Sequence, residues 1–192
     1  MHVCKVLNRL RLHSLYAKVE KCEFERLTIQ FLGLVISPTG IEMDPKKVSA
    51  ILDWPTPLDK KGVQRFIGFA NFYRKFIKNF STIVAPITQL TKQNLRFRWN
   101  PEAQKAFDTL KGLFTSAPIL SHPNPALPFL LEIDASEVAV GAVISQRSGD
   151  KDLMLPVGFY SRKHSSTEKN YDVGDRELLA IKTALEEWKT IT

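Results

Sequence analysis

Two carboxylates, Asp134 and Glu177, carry the chemistry that this sequence could perform. Phe129-Leu130-Leu131-Glu132-Ile133-Asp134-Ala135-Ser136 is an apolar run that delivers Asp134 to the end of a strand, and the small-residue run Val140-Gly141-Ala142-Val143-Ile144 follows at once. Further on, Arg176-Glu177-Leu178-Leu179-Ala180-Ile181 reads as helix, with Glu177 where an apolar residue is expected. On a helical wheel Glu177 shares a side with Ile181, Ala184 and Trp188, flanked by Leu178 and Leu185. An ionised carboxylate on a packed face costs on the order of several kcal/mol unless it is paired or bound to metal. Hard oxygen ligands on rigid elements suit Mg²⁺, with phosphate and water in the remaining positions. Two such ions about 4 Å apart activate a water and stabilise the leaving oxygen of a phosphodiester. That chemistry takes three or four carboxylates, and the sequence does not obviously supply the others. Asp172 and Asp175 are expected on other faces of the helix, and Glu132 lies two residues back on the Asp134 side of its strand. Plainer readings stay open: Glu177 paired with Arg176 or Arg162 or left wet, and Asp134 merely starting a turn.

The elements that must position these acids follow from periodicity and punctuation. The last segment reads as strands over about 128–134, 139–146 and 155–161, with Ser148-Gly149-Asp150 in one connection. Ser165-Ser166-Thr167-Glu168 matches a capping box, from which a helix is expected to run to about Lys189. Ahead of it, the proline-rich stretch 121–128 is the one credible boundary. Helical spacing of Val3, Val6, Leu7, Leu10 and Leu15 opens the chain without a cap, as though the true start lay upstream. The run 28–36 reads as one strand, Ser37-Pro38-Thr39-Gly40 as a turn, and Ile41-Glu42-Met43 as its return. Asp44-Pro45 caps a helix with Val48, Ile51 and Leu52 inward, ended by Trp54-Pro55-Thr56-Pro57.

A longer helix is expected from about Lys60 to Asn79. Val63, Phe66, Ile67, Phe69, Ala70, Tyr73, Phe76 and Ile77 fall on its apolar half. Lys60, Lys61, Arg65, Gly68, Asn71, Lys75 and Lys78 fall on the other. Such a face is either solvated surface or a phosphate track, with Gly68 allowing close approach of the backbone. Pro86 to Leu90 reads as a short helix, Phe97-Arg98-Trp99 as a strand fragment, and Asn100-Pro101-Glu102 as the cap of a helix with Ala103, Ala106, Phe107, Leu110 and Phe114 inward.

The 192 residues leave room for one to two domains with a real core. Charge is uneven: positions 1–120 hold 19 Lys/Arg against 9 Asp/Glu, and positions 121–192 hold 8 against 11. A basic arm joined to an acidic module suits a polyanion ligand together with a divalent metal. Cys4 and Cys22 form no metal-ligand spacing and read as free thiols in a reducing compartment. Neither a signal peptide nor a membrane-length apolar run is present, so the expectation is an intracellular protein with no membrane partner.

Several stretches, in order, resemble the pol polyprotein of gypsy-type LTR retrotransposons. They are Phe31-Leu32-Gly33-Leu34-Val35-Ile36-Ser37, Trp54-Pro55-Thr56-Pro57 and the segment from Phe66 to Ile77. Phe97-Arg98-Trp99, Ala117-Pro118-Ile119-Leu120, Ile133-Asp134-Ala135-Ser136, Phe159-Tyr160-Ser161-Arg162-Lys163 and Asn170-Tyr171-Asp172 through Ile181 continue the series. The resemblance implies an α/β chain in three parts. Residues 1–43 would be the C-terminal end of a reverse-transcriptase palm, with a hairpin at 31–43 similar to a primer grip. Residues 44–120 would be a mainly helical thumb and connection. Residues 121–192 would be the N-terminal half of an RNase H-like domain, three antiparallel strands and a helix.

It also implies that Asp134 and Glu177 are the first two metal-binding carboxylates, for Mg²⁺ or Mn²⁺. Beside it stands the expectation from the wheel that Lys60, Lys61, Arg65, Gly68, Lys75 and Lys78 face nucleic acid. The family's reactions are RNA-directed DNA synthesis and hydrolysis of RNA in RNA–DNA hybrids. Its partners are the hybrid, or other nucleic acid, and the remainder of the polyprotein. The polymerase Tyr-x-Asp-Asp is expected before Met1, since no adjacent Asp pair occurs here, and the later RNase H carboxylates after Thr192. Two expectations therefore stand: a segment of an active enzyme truncated at both ends, or an inert or domesticated nucleic-acid-binding remnant.

Overall fold

The computed structural model describes residues 2–93, 96–148 and 153–191. Gly149 and Asp150, expected in a connection, lie outside the described residues. Helix α1 (His2–Leu12) buries none of its residues. Strands β1 (Ile29–Phe31), β2 (Leu34–Ser37) and β3 (Gly40–Met43) form an antiparallel sheet in that order. The strand expected over 28–36 is thus two strands. Phe31 pairs with Leu34 across a two-residue turn in which Leu32 and Gly33 both take positive φ, a geometry that matches the twist of a hairpin.

The arm follows as α2 (Pro45–Leu52), α3 (Lys60–Phe72), α4 (Phe80–Ile83), α5 (Ala85–Gln89) and α6 (Pro101–Thr115). Asp44, Asp59 and Asn100 each cap a helix by accepting a backbone N–H. In α2 only Ile51 is buried, and Leu52 points to solvent. The helix expected to reach Asn79 stops at Phe72. A 3₁₀ turn over Arg74–Phe76 tightens the chain, and Asn79 at φ +55° reverses it. Tyr73 is anchored there, 2% exposed, with its hydroxyl donating to the Gly33 carbonyl at 3.2 Å. Phe97–Trp99 is irregular, not a strand. Trp99 is fixed by packing edge-on against Phe107 and by its indole N–H donating to Gln104.

These elements share one core centred on Phe66, which lies 4.6 Å from the Phe107 ring and edge-on to Trp54. The inward face of α6 is Ala103, Ala106, Phe107, Leu110 and Phe114, all buried as the periodicity requires.

The second sheet runs β4 (Phe129–Ala135), β5 (Ala139–Arg147), β6 (Met154–Lys163), antiparallel throughout. The capping box closes a 3₁₀ turn over Glu168–Asn170, and α7 (Val173–Trp188) starts only after Asp172, whose side chain accepts the Asp175 N–H at 2.8 Å. Asp172 is therefore the cap of α7 and not a residue on its flank. Ala142, Ile144, Ala184 and Trp188 form the second core.

The stretch 121–128 is bonded to both sides. Ser121 N–H donates to the Pro156 carbonyl at 2.7 Å, and His122 Nε2 lies 2.7 Å from the Ser37 carbonyl. The buried Gln146 amide holds Asn124 and Leu127. Among the described residues no helix is long and apolar enough to cross a membrane.

Candidate functional site

Strand alternation decides where Asp134 points. Phe129, Leu131, Ile133 and Ala135 are half-buried, with the first three packed in the core beneath α7, whereas Leu130, Glu132 and Asp134 are exposed. Asp134 pairs with Gly141, which pairs with Ser161. That cross-strand row lies on the face that meets the arm. With no side chain at Gly141, the Asn79 carboxamide closes on the strand, and Ser161 bonds Ser81 through both its hydroxyl and its carbonyl at 2.9 Å.

Glu177 lies on α7, against the opposite face. Because β6 runs parallel to β4, it ends at the same edge of the sheet as Asp134, and the short link 164–172 starts α7 from that edge. The fold thus brings the two acids to one end of one sheet from its two sides. Glu177 is exposed, because α7 packs through Ala180, Ala184 and Trp188, so the burial penalty expected for its carboxylate does not arise. No hydrogen bond or ion pair engages Asp134 or Glu177 among the described residues. Arg162, a sequence-level candidate partner for Glu177, instead forks onto Glu168 at 2.9 and 3.0 Å, and Arg176 turns to the Asp172 carbonyl. Among the described residues no group of three acidic, His or Cys side chains is placed to hold a metal ion.

The expected cationic face divides. Lys61, Arg65 and Gly68 stay in line and exposed along α3, and a Cβ at Gly68 would meet open space. The Lys60 ammonium is already occupied, donating to the Lys92 and Gln93 carbonyls at 2.6 and 3.2 Å. Lys75 and Lys78 lie past the end of α3 and so off its wheel. Lys75 is half-buried, 5.5 Å from the centre of the Phe76 ring, and burial pulls its ammonium below the ordinary lysine value. Lys78 remains exposed and precedes Asn79, which touches the Asp134 row.

Sequence reasoning missed the Arg162–Glu168 fork. The two residues stand six apart across a strand end, and the turn closed by Ser165 and Glu168 brings them together. It also missed the convergence of Lys92, Lys163 and Lys169, which no spacing along the chain announces.

Residues 99–192 match the family described as the RNase H-like domain found in reverse transcriptase. Across 188 residues, 98% of its length, the chain is 38% identical to the Transposon Tf2-3 and Tf2-4 polyproteins of Schizosaccharomyces pombe, of which it spans 14%. It superimposes on a foamy viral protease-reverse transcriptase in complex with an RNA/DNA hybrid with a TM-score of 0.80, at 21% identity over 99% of this chain and 26% of that one. The same viral protein's dRH form in complex with double-stranded DNA gives 0.77, at 23% identity over 97% of this chain and 33% of that one.

Proposed function

From the match of residues 99–192 to the RNase H-like domain found in reverse transcriptase, we propose that the chain is the reverse transcriptase/RNase H segment of a gypsy-type pol polyprotein. In this reading residues 1–43 close a palm, 44–120 form the thumb and connection, and 121–192 are the leading half of the RNase H fold. The chain binds an RNA–DNA hybrid and contributes two carboxylates to hydrolysis of the RNA strand. The observation that carries the reading is the placement, at one end of the β4–β6 sheet, of two exposed carboxylates that nothing engages among the described residues, with the Asp134 row abutting the basic arm.

Each part has its own physical task. Lys61 and Arg65 hold duplex phosphates on the open face of α3, where Gly68 leaves room for the backbone to approach. Asp134 and Glu177 would hold a divalent cation, Mg²⁺ or Mn²⁺, which when bound supplies water activation and charge stabilisation at the phosphodiester. Their lack of a partner among the described residues fits that task, since a carboxylate locked onto an arginine, as Glu168 is, has little capacity left for a metal. Polymerisation is not assigned to this chain, whose sequence has no adjacent Asp pair.

The test is hybrid binding by fluorescence anisotropy across a salt series. Affinity is expected to fall steeply with salt. Lys61→Ala and Arg65→Ala, each removing one cation that neutralises a phosphate, should each reduce the log–log slope by roughly 0.9. Salt-insensitive binding would sink the reading. Asp134→Asn should abolish Mg²⁺-dependent cleavage of the RNA strand while leaving hybrid affinity intact. A second reading, hybrid binding without hydrolysis, draws on the two carboxylates standing without a third metal-binding side chain among the described residues. Binding with the expected salt slope, but no cleavage by the unaltered chain, would favour it.

A further inference from the structure

A second charged feature lies where the arm meets the sheet, apart from the two carboxylates. A cavity of about 350 Å³ opens between α4–α5 and the corner where β5 starts and β6 ends. Its size falls at the lower end of the roughly 300–1,000 Å³ typical of small-molecule sites. Lys92, Lys163 and Lys169 line it, contributed by three separate segments, together with His164, and no carboxylate is among the lining residues. No hydrogen bond or ion pair engages any of the three ammonium groups among the described residues.

Accounting for donors narrows what the cavity can hold. The hydroxyls of Ser81, Thr88 and Thr91 already donate to backbone carbonyls at 2.8–2.9 Å. The groups left to donate are therefore the three ammoniums, the Thr82 hydroxyl and the Gln89 amide. His164 is 6% exposed, and its Nε2 faces the Ser136 carbonyl at 3.0 Å, which accepts only, so that nitrogen carries the proton. The other ring nitrogen is buried with no partner among the described residues.

Lys163 is half-buried and Lys92 and Lys169 are exposed at the rim, and three cations around one hollow with no carboxylate among its described lining residues repel one another. Burial, reinforced by Lys169 and Lys92, pulls the Lys163 ammonium below its ordinary value. Lys60 adds a further positive charge at the margin by donating to the Lys92 carbonyl, and so fixes the backbone that carries Lys92. Lysine ammoniums around a hollow that lacks acids are suited to a compact, multiply charged phosphate.

We propose that this cavity binds a small phosphate-bearing anion, held by Lys92, Lys163 and Lys169 across the junction between arm and sheet. Because the three lysines come from the end of the arm, the end of β6 and the 3₁₀ turn before α7, one bound anion braces all three against one another. The proposal does not depend on the nuclease reading, since the ligand is tested without nucleic acid.

The experiment is titration of the full chain with pyrophosphate, by calorimetry and thermal shift, against sodium chloride at matched ionic strength. The expected result is saturable binding, with slower hydrogen exchange over 81–92 and 163–169 together. Lys92→Met and Lys163→Met should each weaken binding about tenfold, the weight of one charge-assisted hydrogen bond, while Lys163→Arg retains it. A thermal shift that tracks ionic strength alone, or full-strength binding by both methionine variants, overturns the proposal. A short RNA–DNA hybrid then separates the sources of phosphate. Displacement of pyrophosphate assigns the site to a nucleic-acid backbone, and undiminished binding assigns it to a free phosphorylated compound.

Discussion

Glu168 and Glu177 are nine residues apart, and among the described residues only the first is engaged by hydrogen bonds. Glu168 accepts two hydrogen bonds from the Arg162 guanidinium and one from the Ser165 backbone N–H. Chiefly through the Arg162 bonds, its carboxyl is held at about 2 against an ordinary value of 4.5. A folded-state value below the unfolded one means that the native protein binds fewer protons. The stabilisation is therefore complete above pH 4.5 and is lost as the pH falls through about 2. Melting temperatures of Glu168→Gln over that window should lack the part of the acid decline that the unaltered chain owes to this group. An identical decline in both proteins would show that the fork adds nothing to stability.

Glu177 accepts no such bonds among the described residues. Its identity as an acid on the otherwise apolar side of its helix was legible in the sequence, but its exposure was not. The wheel puts Glu177 beside Ala184 and Trp188, whereas the helix settles on the sheet through the stripe Ala180–Ala184–Trp188. Small alanines let α7 approach the small-residue strand β5 closely, and that choice belongs to the pair of elements rather than to either sequence alone.

Among the elements, those with strong periodicity and a clear cap came directly from the sequence. Helix α6 has Asn100 as its cap and five buried inward residues, and the strands β4 to β6 fall within a few residues of their expected bounds. Two of the failures are backbone choices that local residues do not announce. Helix α3 stops where Tyr73 reaches back to Gly33, forty residues earlier, and a wheel drawn on local residues carries no sign of that. The break at Leu32–Gly33 hides inside a run with good strand composition, because a leucine at positive φ is an uncommon turn residue.

Gly40 shows such a long-range contact in its tightest form. It has φ +142°, and a Cβ there would collide with the Leu120 carbonyl, where Ile41 and Leu120 exchange backbone hydrogen bonds at 2.8 and 2.9 Å. Gly40→Ala should destabilise the chain by about 2–3 kcal/mol in urea denaturation, through steric conflict and backbone strain together. A change within about 0.5 kcal/mol, the range of ordinary surface substitutions, would mean that the β3–Leu120 contact yields freely.

At the scale of the molecule, the two cores are joined where the arm meets β6. Ser81 and Ser161 are both buried, and the Arg74 guanidinium also donates to the Ser161 carbonyl. Ser161→Ala leaves the buried Ser81 N–H without its acceptor and should cost about 1–3 kcal/mol. If the junction couples the cores, the unaltered chain unfolds in a single transition and the variant begins to separate into two. Two transitions already present in the unaltered chain would remove that coupling.

The alternation of β6 has its own consequence. Phe159 packs against the arm core and Tyr160, its immediate neighbour, against the core beneath α7. Past the irregularity at Val157, the strand serves the two interiors in turn from Gly158 to Ser161, and its phase there is set from both sides. Inserting or deleting a single residue between Gly158 and Ser161 would exchange the faces and leave both interiors unfilled at once. In a scan of single-residue deletions, residues 158–161 are where the chain should tolerate no change of length.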